Sequence, residues 1–365
     1  MTDQGAKVNT RALALDFLLE TVEKGGYSHV VMRGMLERYQ YLDKQERAFL
    51  TRLCEGTLER RLELDAIINH FSKVPVKKQK PVIRNLLRMS VYQLKYMDQV
   101  PDSAVCNEAV RLAQKKGFGT LKGFVNGVLR SIARGIEEIS FDDLSICYST
   151  PQWIVDQWVE EYGKDKAVRM LADQYAEKPV TIRINETKTT KQQLKARLES
   201  EGVTVQEVDG MDCALAISGF DYLRALSSFR EGLFHVQDES SQLAVRVLDP
   251  QRGEEILDLC AAPGGKSFTI AEQMENEGSL LSCDIYAHKI DLMEEGAERL
   301  GISIMQCRVK DAAAEEESPK QFDRVLADVP CSGLGLMRKK PDIRLKKDGN
   351  EIDSLTKIQR EILEN

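Results

Sequence analysis

The stretch Glu255-Ile256-Leu257-Asp258-Leu259-Cys260-Ala261-Ala262-Pro263-Gly264-Gly265-Lys266 constrains the rest of the chain more than any other. A short apolar run breaks into small residues, two glycines and a lysine, and helical spacing resumes from Ser267 to Met274. Ile256, Leu257 and Leu259 read as a buried strand, while Gly264 and Gly265 let the backbone approach a ligand, so the stretch predicts strand, tight loop and helix start. A helix N-terminus then presents free N–H groups and the positive end of its dipole to whatever occupies the loop. The loop is a candidate cofactor cradle.

Three further runs follow the same pattern. Ser279-Leu280-Leu281-Ser282-Cys283-Asp284 ends on a carboxylate 20 residues after Gly264, the spacing at which an α/β nucleotide site grips a ribose hydroxyl. Ser303 to Val309 runs on to Asp311, and Phe322-Asp323-Arg324-Val325-Leu326-Ala327 runs into Asp328-Val329-Pro330-Cys331-Ser332-Gly333. Four strand ends therefore deliver polar residues to one edge, which in an open parallel sheet is the ligand-binding edge. A glycine loop alone is a weak signal, since tight turns use glycine everywhere. The loop lacks Gly-x-Gly-x-x-Gly and lacks Gly-Lys-Ser/Thr at P-loop spacing; a methyl-donor nucleotide without phosphates fits better than a dinucleotide or a nucleoside triphosphate.

Asp258-Leu259-Cys260-Ala261-Ala262-Pro263-Gly264-Gly265-Lys266 followed by Asp328-Val329-Pro330-Cys331-Ser332-Gly333 resembles the S-adenosylmethionine-dependent RNA cytosine-C5 methyltransferases. Within them, the whole chain is similar to the bacterial 16S ribosomal RNA cytosine-C5 methyltransferases of the Sun or Fmu type. The resemblance implies S-adenosylmethionine as cofactor, 16S ribosomal RNA as partner and a monomer.

At 365 residues the chain is too long for one ordinary core and suggests two or three domains. No stretch approaches a membrane span, and Met1-Thr2-Asp3-Gln4 opens no apolar secretory segment, so a cytoplasmic protein is expected. The eight cysteines fit that reducing compartment. They form no Cys-x-x-Cys pair and the four histidines are scattered, which argues against a structural zinc and leaves no metal site expected. Only Cys260 and Cys331 sit in functional loops; the others read as small core residues.

Charge is uneven. Residues 1–135 carry 23 Lys+Arg against 14 Asp+Glu, whereas the remainder is strongly acidic and the total is −7. The basic part is the candidate RNA-docking surface, against the plainer reading of a solvated helical face. Its apolar residues recur at helical spacing from Ala12 to Val22, Val30 to Leu36 and Phe49 to Ile68, with further helices over about 81–97, 103–116 and 119–134. Pro81 to Leu94 and Asn107-Glu108-Ala109-Val110 resemble the NusB-like, all-helical RNA-binding domain that opens this methyltransferase family. Lys73, Lys77, Lys78, Lys80 and Arg84 cluster at one helix junction, where flexible cations meet phosphates without reading sequence.

An acidic connector around 136–150 marks a boundary. Pro151 opens a helix capped by Thr150, whose Trp153 and Trp158 read as core anchors rather than base-stacking groups. Val180 to Asn185, Val203 to Val205 and Ala214 to Ile217 alternate as strands around a helix at Leu194 to Leu198. This resembles the family's RNA-recognition-like subdomain. The expected architecture is multidomain: an all-α NusB-like domain over 1–135, a small α+β RNA-recognition-like subdomain over 145–235, and a Rossmann-like α/β methyltransferase domain over 236–365 with an incomplete sheet.

Carbon 5 of cytosine is a poor nucleophile toward a methyl sulfonium, so an enzyme first adds a thiolate at carbon 6 and later removes the carbon 5 proton with a base. In the family two cysteines divide these roles. Carried over by position, Cys331 is the second cysteine, which releases product. Asp328 contacts the cytosine edge or the methyl donor, and Lys266 reaches the base. Cys260, Ala261, Ala262, Pro263, Gly264, Gly265 and Lys266 line the donor pocket, with Asp284 on the ribose and Asp311 near the adenine amino group, unless Asp311 merely caps the next helix. The family's attacking cysteine lies in a Thr-Cys motif after a fifth strand, and no Thr-Cys dipeptide occurs in the 365 residues. The expectation is therefore a member of the family truncated after strand four. In that case strand four, with Val325, Leu326 and Ala327, becomes an exposed apolar edge, and the alternative function is RNA binding without turnover.

Overall fold

The computed structural model describes residues 8–176, 179–314 and 321–365, apart from the Asn350 side chain. The first four residues, on which the expectation of a cytoplasmic protein partly rests, lie outside the described residues. Two compact units emerge: Met1–Ala176 with Ser332–Glu351, and Glu177–Cys331 with Ile352–Asn365.

The first unit begins with seven helices: α1 (Thr10–Leu18), α2 (Ser28–Arg38), α3 (Lys44–Glu59), α4 (Arg61–Phe71), α5 (Pro81–Tyr96), α6 (Asp102–Lys115) and α7 (Lys122–Gly135). Their starts follow local chemistry. Asp43 accepts from Glu46 N at 2.7 Å and the Glu46 carboxylate accepts in return from Asp43 N, a capping box that opens α3. Pro81, with no N–H to leave unsatisfied, opens α5. The apolar stripes meet in one core that includes Leu13, Phe17, Leu50, Leu64, Leu86 and Leu129. Gly56 allows α3 to approach α5, because a Cβ there would lie 2.1 Å from the Tyr92 ring.

The boundary expected near residue 145 does not separate the units. α8 (Leu144–Cys147), α9 (Gln152–Tyr162) and α10 (Lys164–Asp173) group with the first, ahead of the strands of the α+β module. The reason is the apolar face of α9: Ile154, Val155 and Trp158 pack with Leu171 and Met337, and Trp153 lies against the same cluster. Both tryptophans are core anchors. The start of α9 also differs from expectation, since Pro151 is its N-cap and the Thr150 hydroxyl donates to Tyr148 O instead of capping.

The second unit contains two sheets. β1 (Val180–Ile184), α11 (Lys191–Ser200), β2 (Thr204–Glu207), β3 (Ala214–Ser218), α12 (Ser227–Arg230) and β4 (Phe234–Val236) form a βαββαβ module with an antiparallel sheet in the order β2-β3-β1-β4. After α13 (Glu239–Leu248) come β5 (Glu255–Asp258), α14 (Gly265–Gln273), β6 (Ser279–Asp284), α15 (Ala287–Leu300), β7 (Met305–Val309) and β8 (Arg324–Leu326). These strands make a parallel sheet in the order β7-β6-β5-β8. β8 pairs with β5 on one side, and of the apolar edge expected there Val325 is half exposed while Leu326 packs against the core of Val245, Ile256 and Leu280. The chain then enters the first unit over Ser332–Glu351, where α16 (Ile343–Lys346) forms, and returns along α17 (Asn350–Glu364).

Strand alternation decides how the two sheets meet. Ile182 and Ile184 point to the module's own core with Leu194 and Leu198, so Thr181 and Arg183 point the other way. There the Arg183 guanidinium donates from Nε to Glu272 Oε2 on α14 at 3.2 Å and from Nη1 to Cys213 Sγ at 2.8 Å, and Cys213 Sγ lies 3.7 Å from Gln242 Oε1 on α13. Arg183 and Glu272 are both buried. The sheet face that an RNA-recognition-like fold leaves open is thus covered by α13 and α14. Among the described residues no helix is long and apolar enough to cross a membrane.

Removing one partner of a buried ion pair strands the other charge, so Glu272→Ala is expected to lower unfolding free energy by about 3–5 kcal/mol. Urea denaturation of parent and variant measures it, and a loss below about 1 kcal/mol, the level of an exposed pair, would remove the Arg183 contact from the joint.

Candidate active site

The site is built where the parallel strands end. β5 stops at Asp258, β6 at Asp284, β7 just before Asp311 and β8 just before Asp328, and the register sets Asp258 beside Ser282 on one side and Leu326 on the other. The β5–α14 loop is fixed across the strand ends. Ala261 N donates to Cys283 O at 2.8 Å, and the Ala262–Pro263 peptide is cis. Gly264 has φ +99°, and a Cβ there would meet the Phe268 ring at 2.5 Å, so this turn requires glycine. Gln237, which the sequence shows only as part of a polar stretch leading into α13, clamps the loop from below: its Nε2 donates to Gly265 O at 3.0 Å and its Oε1 accepts from Thr269 Oγ1 at 2.8 Å.

Each carboxylate at the edge is held differently. Asp284 is buried; its Oδ1 accepts from Tyr286 N at 3.0 Å, and Lys289 Nζ lies 3.3 Å from the same oxygen. Asp328 is more than half exposed and accepts from Lys266 Nζ at 2.6 Å, so the glycine loop and the Pro330-Cys331 loop are joined by an ion pair. Asp311 accepts from Ala313 N at 3.0 Å and so stabilises the turn after β7, the local role set against its adenine contact. Asp258 was not among the sequence candidates. It is 1% exposed, Ser267 Oγ donates to its Oδ2 at 2.7 Å, Ser282 Oγ donates to Ser267 Oγ at 2.9 Å, and Oδ1 is buried without a hydrogen bond. Burial pushes its pKa up to about 6, against the opposing pull of Ser267 and Lys266.

The two loop cysteines differ. Cys331 is exposed, and Pro330 O beside it accepts from Gln359 Nε2 of α17 at 2.7 Å. Cys260 is half-buried; desolvation, reinforced by Asp258, Asp284 and Asp328, raises its thiol to about 11. A thiol in that state is a poor nucleophile near neutral pH. Among the described residues no group of three or more His, Cys, Asp or Glu side chains could hold a metal ion.

The RNA-contact candidates lie in the first unit. Lys73, Lys77, Lys78 and Lys80 are exposed on the turn between α4 and α5. Arg84 differs from them: its guanidinium forks onto Glu23, which also accepts from Asn85 Nδ2 at 2.6 Å, and the pair is largely covered. That engagement makes Arg84 a structural cation of the helical core's rim.

Asp258 generates a pH prediction. Its folded pKa of about 6 lies above the ordinary value of 3.8, so its protonated form favours the native state. The contribution is complete below the unfolded value and is lost as pH rises through the folded one. Stability from this group should fall by roughly 3 kcal/mol between about pH 4 and 7. Asp258→Asn should flatten that part of the profile in urea denaturation at successive pH values, and an equal slope in both proteins would contradict the assignment.

Comparison with known proteins assigns each part of the chain. Residues 8–134 match the NusB family, residues 150–220 the RsmF/B-like methyltransferase ferredoxin-like domain, and residues 245–365 the 16S rRNA methyltransferase RsmB/F family. A probable ribosomal RNA small subunit methyltransferase B from Bacillus subtilis is 38% identical over 98% of this chain and 81% of its own length. The ribosomal RNA small subunit methyltransferase B of Escherichia coli is 31% identical over 98% of this chain and 82% of its own. Among solved structures, that of PH0851 aligns with a TM-score of 0.79 at 24% identity, covering 99% of this chain and 83% of that one. A methyltransferase homolog protein from Pyrococcus horikoshii aligns at a TM-score of 0.52 and 23% identity over 61% and 70%. These two share its fold. With its NusB and RsmB/F domains in order and relatives matching along almost its whole length, the chain belongs to the ribosomal RNA small subunit methyltransferase B family.

Proposed function

We propose that this chain binds S-adenosylmethionine at the β5–α14 loop and directs its methyl group to carbon 5 of a cytosine in 16S ribosomal RNA. The observation that carries the reading is the Lys266–Asp328 ion pair, which joins the glycine loop to the Pro330-Cys331 loop at the edge where Asp284 ends β6. The residues present fit that donor. Three carboxylates at one edge repel phosphates and suit a sulfonium cation, and Ser267, the hydroxyl that follows Gly265-Lys266, is buried on Asp258 and turned away from any phosphate-bound metal.

In this reading Asp284 takes the ribose hydroxyls and Asp311 the adenine amino group, while Cys260, Ala261, Ala262, Pro263, Gly264 and Gly265 line the donor. S-adenosylmethionine supplies the methyl group. Asp328 and Lys266 hold the cytosine edge. Once a thiolate has added at carbon 6 and carbon 5 has taken the methyl group, Cys331 accepts the carbon 5 proton. The electrons of that C–H bond restore the ring double bond as the carbon–sulfur bond breaks. No Thr-Cys dipeptide lies in residues 1–365 and the Cys260 thiol is held protonated, so attack at carbon 6 is assigned to neither loop cysteine.

Isothermal titration tests the donor site. Asp284→Ala should weaken S-adenosylmethionine binding by about 1–3 kcal/mol, the scale of charge-assisted hydrogen bonds, and equal affinities would move the ribose contact elsewhere.

RNA docking is assigned to the exposed lysines of the α4–α5 turn, whose charges neutralise phosphates and release counterions. Replacing Lys77, Lys78 and Lys80 together by Glu should weaken 16S ribosomal RNA binding and flatten its log–log salt dependence by roughly 2–3. Filter binding at two salt concentrations checks both, and an unchanged slope takes these lysines out of the interface.

A further inference from the structure

Directly after Cys331 the chain leaves the second unit and runs for 20 residues, Ser332–Glu351, within the first. This segment is held by charged groups that the chemistry above does not use. Asp342, 4% exposed, accepts from Ser28 Oγ at 2.6 Å and from Ser28 N at 3.2 Å. Ser28 is the first residue of α2, whose N-cap Tyr27 supplies no side-chain cap, so a carboxylate from the far end of the sequence caps that helix. Lys346 Nζ donates to Gly25 O at 2.8 Å and Gly26 O at 2.9 Å and stands 3.7 Å from the centre of the Tyr27 ring. Asp342 and Lys346 together clasp the whole Gly25-Gly26-Tyr27-Ser28 turn. On the other side of the segment Arg344, 1% exposed, donates from Nη1 to Tyr175 Oη at 2.8 Å and Glu59 O at 3.3 Å, and Met337 is fully buried among Ile154, Trp158 and Leu171.

Stability alone does not account for this arrangement. Burying a carboxylate and a guanidinium costs several kcal/mol per ion, and apolar residues of similar volume serve a core at least as well. Arg344 also leaves Nε and Nη2 buried without hydrogen bonds. Directional charged contacts fix a segment in one register, which apolar packing does less strictly.

Resting on the role given above to the Cys331 loop, we propose that Asp342, Arg344 and Lys346 are positioning residues: they anchor the segment that follows Cys331 to the α1–α2 turn and the α3–α4 junction, and this anchored segment restrains the adjoining Cys331 along the chain. The chain leaves Cys331 directly into the clasp, and a residue next to an anchored segment has fewer backbone conformations open to it than one in a free loop.

The test uses the full chain with a nitroxide on Cys331, the exposed cysteine, its location confirmed by peptide mapping. In Asp342→Ala and Lys346→Met the mobile component of the spectrum should rise about tenfold, the population change expected when a charged hydrogen bond that closes a segment is lost. Asp342→Asn, which keeps one acceptor oxygen, should fall between parent and Ala. Lys346 is a quarter exposed on its side chain, so its variant decides the matter if Asp342→Ala does not fold. A parental spectrum in variants that nevertheless melt at lower temperature would overturn the proposal and leave the clasp as a stabilising contact only. S-adenosylmethionine affinity should stay parental throughout; failure of the parent itself to bind it would count against the donor site and not against the clasp.

Discussion

Three carboxylates on one edge of a four-stranded parallel sheet are the constraint around which the second unit is arranged. Asp258, Asp284 and Asp328 arrive there because β5, β6 and β8 run the same way and stop together. Like charges so placed raise one another's cost of ionisation, and burial raises it further. Each is relieved in its own way. Asp328 stays exposed and takes Lys266, Asp284 takes Lys289 and a backbone N–H, and Asp258, with a serine hydroxyl on one oxygen and nothing on the other, shifts its proton affinity. Asp284 and Asp328, the two carboxylates with a lysine beside them, are therefore the ones at which an incoming cation or hydroxyl can exchange with that partner.

The precision of this edge depends on how the antiparallel module is joined to the parallel one. Asn185, at the end of β1, donates through Nδ2 to Gly232 O and to Leu300 O, both at 2.9 Å, and Lys188 Nζ reaches Glu231 O and Arg299 O at 3.0 and 2.9 Å. Gly232 is required because a Cβ there would lie 2.0 Å from Arg299 O. With Arg183 on Glu272, these contacts tie the module to α14 and α15, and Gln237, just after β4, carries the connection into the glycine loop. A βαββαβ sheet serves here as a platform packed on both faces and not as an open surface for stacking bases.

What could be read in the sequence follows from how local each signal is. A buried strand that ends on a polar residue announces itself within six positions, which is why Asp284, Asp311, Asp328 and the glycine loop stood out together. The opening helices are legible for the same reason, through apolar spacing and caps such as Asp43, except that the single run from Phe49 to Ile68 divides at Arg60 into α3 and α4. Asp258 is not legible in this way because it sits inside the apolar run, where only burial distinguishes a carboxylate with a shifted pKa from a solvated one. β4, three residues long, and α12, one turn long, carry too little periodicity to register. The assignment of α9 to the first unit depends on Met337, and the cap of α2 comes from Asp342, 314 positions away. No spacing rule connects residues at that distance.

The same separation of local and distant partners changes what the positive surplus of residues 1–135 means. Counted along the chain, arginine and lysine contribute alike. In the fold Arg84 and Arg88 fork onto Glu23 and Asp65, and Arg88 is buried beside Asn85. A planar guanidinium suits such sites because it satisfies several acceptors in fixed directions, whereas an ammonium on a flexible stem remains better hydrated outside. At the same junction Lys73, Lys77, Lys78 and Lys80 are accordingly exposed. A paired arginine projects a dipole that decays quickly with distance, while an exposed lysine projects a charge screened only over the Debye length. The field around the α4–α5 junction therefore comes from its four exposed lysines more than from Arg84 and Arg88, whose charge is paired with Glu23 and Asp65.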